Sequence, residues 1–199
     1  MKGKYRIGIT LLAIWAVCGI LPVWAGVPTE KVRETADRII SIVSDPSLKD
    51  PAKAAQRREQ IRKAVDELCD WDEMSRRSLG KHWAQRSEHE KKEFVRLFGQ
   101  LLERTYIDKV EGYSGEKVNY VGERIDGDYA EVGVKIVTNK NTEIPVVYKL
   151  RTRDQTWWVY DIVIEGVSLV NNYRTQFSDI LAKSSFEGLV TKLKEKGAE

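Results

Sequence analysis

The feature that most constrains this chain is a change of period. Up to about residue 110 the apolar residues recur at helical spacing, and from Val118 they alternate as strands do. Tyr129 to Val137 (YAEVGVKIV), Ile144 to Leu150 (IPVVYKL) and Trp157 to Ile164 (WWVYDIVI) read as strands, and Lys117 to Ile125 precedes them as a first. Asp126-Gly127 is a strong hairpin signal, and Asn139-Lys140-Asn141 and Arg153-Asp154-Gln155 supply the next two turns. The expected product is a four-stranded antiparallel meander over about residues 116–166. Helical spacing returns over about residues 168–195, near Leu169–Leu181 and Phe186–Lys194. Helices, then consecutive strands, then helices imply an α+β layer, with helices against one face of a curved sheet.

The helical half, about residues 29–110, has several entry signals. Val32, Ala36, Ile39, Ile40 and Val43 trace one amphipathic face. Asp50-Pro51 offers an N-cap and a first-turn proline ahead of a helix carrying Ile61, Val65 and Leu68. Asp70-x-x-Glu73 and Ser87-x-x-Glu90 both have the capping-box pattern. The second opens the strongest helix of the chain, on which Phe94, Leu97, Phe98, Leu101, Leu102, Thr105 and Tyr106 share one broad stripe.

The N-terminus has a different logic. Lys2, Lys4 and Arg6 precede the apolar run Ile7 to Ile20, and Val23-Trp24-Ala25 suits a cut after Ala25. This is the pattern of a secretory signal peptide over residues 1–25, and the run is short for a membrane span. Its removal leaves basic and acidic residues equal in number, at 30 each, so the +3 of the whole chain says nothing of nucleic-acid affinity. No basic stripe with interleaved aromatics is present, and nucleic acid is not an expected partner. Residues 26–199 suit one domain. Cys18 leaves with the leader, so Cys69 stands alone and forms no intramolecular disulfide; it reads as a small buried apolar residue.

The inventory for catalysis is thin. His82 and His89 are the only histidines, with no zinc-site spacing, phosphate-cradling glycine loop or G-x-S-x-G elbow. Strand alternation puts Trp157, Val159, Asp161 and Val163 on one face. Asp161 on a concave apolar face could serve as a general base. The favoured reading is a structural carboxylate that pairs with a basic residue or accepts backbone hydrogen bonds. Ile162, Val163 and Ile164 are apolar in succession, so both faces of the last strand look covered.

The C-terminal stretch carries a resemblance. Trp157, Val159-Tyr160-Asp161, Glu165-Gly166-Val167-Ser168-Leu169, Asn172-Tyr173-Arg174 and Phe177 form a signature. Leu79-Gly80, Trp83 and the aromatic positions Phe94, Phe98 and Tyr106 with Leu102 agree with it. On these residues the chain resembles the MlaC, or toluene-tolerance, family of periplasmic phospholipid-binding proteins, over about Val32 to Leu193. Trp158 departs from the family pattern, where a polar or basic residue is more usual.

The resemblance implies an NTF2-like sheet with extra helices around an apolar cavity. It implies a soluble, monomeric phospholipid carrier of the periplasm that maintains outer-membrane lipid asymmetry. The implied partners are an inner-membrane ABC transporter complex with an MCE protein and an outer-membrane lipoprotein–porin complex. Neither enzymatic activity nor a cofactor is expected; the phospholipid is cargo. Carried to residues, the expected tail-lining set is Phe98, Leu101, Leu102 and Tyr106 from the long helix. From the sheet it is Val132, Val134, Val146, Tyr148, Val159, Val163 and Val167. Arg76, Arg77 and Lys81 are expected to meet a headgroup or a partner. Two rival readings are an NTF2-like enzyme using Asp161 in a smaller cavity and an adaptor that binds only proteins.

Overall fold

The computed structural model describes residues 27–198. The expected signal peptide lies outside them. Four helices come first: α1 (Pro28–Ser44), α2 (Ala54–Asp66), α3 (Trp71–Leu79) and α4 (Glu88–Glu111). Strands β1 (Lys117–Asp126), β2 (Tyr129–Val137), β3 (Glu143–Arg153), β4 (Thr156–Ile164) and β5 (Val167–Ser168) follow, then α5 (Leu169–Leu181) and α6 (Phe186–Ala198).

Local chemistry explains the helix starts. The Ser87 box is complete: the Glu90 carboxylate accepts from the Ser87 N–H at 2.7 Å, and the Ser87 hydroxyl accepts from the Glu90 N–H at 3.3 Å. Asp70 caps α3 by accepting from the Glu73 N–H at 3.1 Å. The Glu73 side chain does not reciprocate, because it is drawn to arginines instead. Asp50 accepts from the Ala52 N–H and heads a 3-10 turn, Pro51–Lys53, that runs into α2.

The sheet is an antiparallel meander in the order β1-β2-β3-β4-β5. The expected four strands gain a fifth, because Glu165-Gly166 takes positive φ at both residues (49° and 81°) and folds two more residues back onto β4. The free edge of β4 is blunted further along: the Val159 N–H donates to the Leu68 carbonyl at 2.9 Å, and the Asp70 N–H donates to the Val159 carbonyl at 2.8 Å. That pairing covers an edge otherwise open to unwanted strand addition. Among the described residues no helix is long and apolar enough to cross a membrane.

Cross-strand partners share a face. Val132 faces Tyr148, Val134 faces Val146, and Ala130 faces Leu150, which in turn faces Val159. These residues form the internal face. Opposite them Phe94, Phe98, Leu101 and Leu102 of α4 pack with Tyr173 and Phe177 of α5 and Phe186 and Leu189 of α6. The Phe98 ring centroid lies 5.2 Å from Tyr173 and 5.5 Å from Phe177, both edge-on. Such pairs add directional attraction to area burial.

The register of β4 departs from the simple alternation expected of it. The β3–β4 ladder is irregular between Lys149 and Leu150: Leu150 pairs with Val159, but Lys149 pairs with Asp161. Tyr160 is the extra residue of a bulge, and a bulge moves every later side chain to the other face. Asp161 and Val163 therefore lie opposite Lys149 and Val147 on the outer face. Ile162 and Ile164 take the internal positions and pack on the core.

Candidate functional site

Two regions hold the residues singled out above. The first is the internal face. Phe98, Leu101, Leu102, Val132, Val134, Val146 and Val159 are buried there, and Tyr106 and Tyr148 are half-buried against the same cluster. Val163 is turned outward by the bulge. Val167 is 55% exposed, since it sits in the short strand after the Glu165-Gly166 turn. Phenols line this region: the Tyr120 hydroxyl is buried without a hydrogen-bond partner, and burial pushes the Tyr148 hydroxyl up to about 12. Cys69 is buried beside it, and burial pushes its thiol up to about 12, so it is a packing residue with little thiolate.

The second region is a cavity of about 390 Å³ on the outer side, between α3, β3–β4 and the start of α5. Helix α3 contributes Arg76 and Arg77, and β3 contributes Lys149. The bulge turns both Tyr160 and Asp161 toward it, and α5 adds Arg174. Asp161 is committed to structure: the Ser168 hydroxyl donates to one of its oxygens at 2.6 Å and the Val170 N–H to the other at 3.0 Å. It anchors the first turn of α5, which is the structural role expected of it.

A buried acidic pair fixes the cationic wall. Glu73 accepts from Arg76 Nε and Nη2 at 2.7 and 2.6 Å and from Arg77 Nε at 2.7 Å. Burial opposes its ionisation, but these donors and the charge of Arg151 outweigh that and hold its carboxyl at about 2. Asp70, only 1% exposed, accepts from Arg151 Nε and Nη2 at 2.9 and 2.7 Å and lies 3.3 Å from Arg153. The guanidinium of Arg77 sits 4.1 Å from the Tyr160 ring centroid. That of Arg174 lies over Gly80, whose φ is 55°; a Cβ there would come within 3.0 Å of Arg174 Nε. Glycine at residue 80 thus serves both the backbone conformation and the close approach.

Of the three basic residues picked from sequence, Arg76 and Arg77 line this cavity, whereas Lys81 is exposed on the following 3-10 segment. Sequence reasoning missed the contributions of Lys149, Tyr160 and Arg174. Tyr160 and Arg174 lie within the C-terminal signature, but only the bulge and the α3–α5 packing bring them to Arg77. Trp158 is on the outer face too, with the Arg153 guanidinium 4.6 Å and the Lys31 ammonium 5.7 Å from its ring centroid. Among the described residues no group of three or more acidic, histidine or cysteine side chains could hold a metal.

Comparison with known proteins places this arrangement. A family model described as MlaC protein matches residues 33–195. The chain belongs to the MlaC family. The intermembrane phospholipid transport system binding protein MlaC of Haemophilus influenzae is 26% identical over 126 residues. That match covers 61% of this chain and 59% of the relative, so the chain spans under two thirds of that protein's length. Toluene tolerance protein ttg2D of Pseudomonas putida is 20% identical over 176 residues, covering 87% of this chain and 82% of that one. A phospholipid-binding protein from Ralstonia solanacearum, solved in complex with a phospholipid, matches with a TM-score of 0.74 and 26% identity. The superposition covers 85% of this chain and 96% of the other, so the MlaC-family α+β fold seen here is shared almost end to end.

Proposed function

We propose that this MlaC-family protein is a periplasmic phospholipid carrier on an NTF2-like scaffold, exported by a cleaved signal peptide and acting as a monomer. It exchanges lipid with an inner-membrane ABC transporter complex bearing an MCE protein and with an outer-membrane lipoprotein–porin complex, and so maintains lipid asymmetry. The observation that carries the reading is the likeness, at 26% identity over most of both chains, to a protein solved with a phospholipid bound. The continuous apolar face described above supports it. Burial of a methylene is worth ~0.8 kcal/mol, so two acyl chains of roughly 15 methylenes each lose about 24 kcal/mol on entering water. A carrier must replace that apolar environment.

On the internal face Phe98, Val132, Leu150 and Val159 are fully buried in this structure. In the loaded form the layer of α4 and α5 lies further from the sheet, and the tails run between Phe98, Leu101, Leu102 and Tyr106 and the valines of β2–β4. The rival enzyme reading is disfavoured by Asp161, whose two oxygens are both engaged.

The test is mass spectrometry of an organic extract of protein purified from its native envelope. A glycerophospholipid at near one molecule per chain is the expected result. Lipid-free protein that also takes up nothing from phospholipid vesicles would end the proposal. Leu102→Trp should cut uptake sharply; an adaptor that binds only proteins would be indifferent to it.

A further inference from the structure

The outer cavity has a charge pattern that the binding of acyl tails does not use. Four cationic side chains, Arg76, Arg77, Lys149 and Arg174, line it against one carboxylate, Asp161. That carboxylate is already occupied by Ser168 and Val170. Arg76 and Arg77 are held in place by Glu73, but Arg174 makes no hydrogen bond or ion pair with any described residue. Lys149 has only a long contact, 3.7 Å, with Glu131. An excess of cations over carboxylates around a concavity concentrates field lines and attracts an anion.

The geometry narrows the anion. The cations come from three walls, α3, β3 and α5, so their donors converge from different directions. A tetrahedral group with several acceptor oxygens satisfies such a set better than one planar carboxylate does. Guanidinium forks also match phosphate oxygens two at a time. At about 390 Å³ the space exceeds the ~30 Å³ share of one water many times over, and leaves room for an organic substituent on the phosphorus. Val170 is both a wall of the cavity and a member of the buried apolar cluster, so only one side-chain layer separates the two regions.

We infer that this cavity binds a phosphate group, with Arg174 as the uncommitted charge, Lys149 held only by its long contact with Glu131, and Arg76 and Arg77 as donors pre-set by Glu73. The phosphate belongs either to a lipid headgroup, in which case the inference rests on the carrier reading, or to free phosphate. Its binding neutralises the charge excess and ties α3 to the start of α5.

The experiment uses the full mature chain stripped of lipid, with the variant Arg174→Gln and the double variant Arg174→Gln/Lys149→Gln. Inorganic phosphate is titrated at low salt and followed by calorimetry. Competitive uptake is measured from vesicles offering phosphatidylglycerol and diacylglycerol together. A headgroup site predicts that the preference for phosphatidylglycerol falls at least tenfold in the double variant and less in the single one. A free-phosphate site predicts at least tenfold weaker inorganic phosphate binding with that preference unchanged. Wild-type affinity for phosphate that neither variant alters, or no phosphate binding at all, together with an unaltered lipid preference, overturns the inference. If wild type binds phosphate but takes up neither lipid, the carrier reading fails and the phosphate site stands.

Discussion

On its internal side the sheet presents Val132, Val134, Val146, Leu150 and Val159 to a layer of phenylalanines; on its outer side the same strands present Lys149, Arg151 and Asp161 toward α3 and the start of α5. The first contact is non-directional, and its strength scales with apolar area. The second is fixed by hydrogen bonds of 2.6–3.0 Å, with buried Asp70 and Glu73 at its centre. A non-directional layer can part and close on something equally apolar, because acyl chains replace what the side chains lose. A bonded cluster cannot be parted so cheaply, since every unpaired charge would be left behind. The contrast predicts that the internal face parts more readily than the outer one.

Phe98→Ala is the sharpest way to break that contrast. Truncating a fully buried phenylalanine should cost about 3–5 kcal/mol in lipid-free protein, read as a lower urea midpoint. The cost should shrink in lipid-loaded protein, where an acyl chain can fill the void. An equal cost in both forms would mean that the tails do not lie beside residue 98.

Asp70→Asn comes next. It keeps an N-cap for α3 but removes the charge facing Arg151 and Arg153. Loss of about 2 kcal/mol is expected, below the ~3–5 of a fully enclosed pair because both guanidiniums are partly solvated. Unlike Phe98→Ala, this loss should be the same with and without lipid.

The smallest effect is the pH dependence of Glu73. Its folded-state carboxyl is held at about 2, below its ordinary value of 4.5. The stabilisation is therefore complete above pH 4.5 and is lost as pH falls toward 2. Urea midpoints taken through that window should fall more steeply for wild type than for Glu73→Gln. Identical slopes would show that the arginine cluster is not coupled to folding.

How far the sequence could be read follows the same division. The long helix was legible because its box and stripe are local, and the hairpin at Asp126-Gly127 because the turn is written in two residues. Seven of the eleven expected tail-lining residues are buried on the internal face and two are half-buried. Val163 and Val167 are not internal, since simple alternation carries no sign of a bulge at Tyr160 or of a fifth strand. The outer cavity was half legible. Arg76 and Arg77 are adjacent in sequence and stood out as a cluster, whereas Lys149 and Arg174 are remote and met them only through the fold.

By itself the sequence determined the order of elements, the helix caps, the sheet's tight turns and the apolar stripes that must meet. Each of these depends on residues within a few positions of one another, where backbone geometry and side-chain chemistry act directly. Tertiary structure alone decided which face of β4 Asp161 occupies, which acids the arginines find, and that four cations enclose one hollow. Those outcomes turn on a single-residue slip in a ladder and on the packing of α3 against α5, and long-range pairing of that kind leaves no mark in any local window.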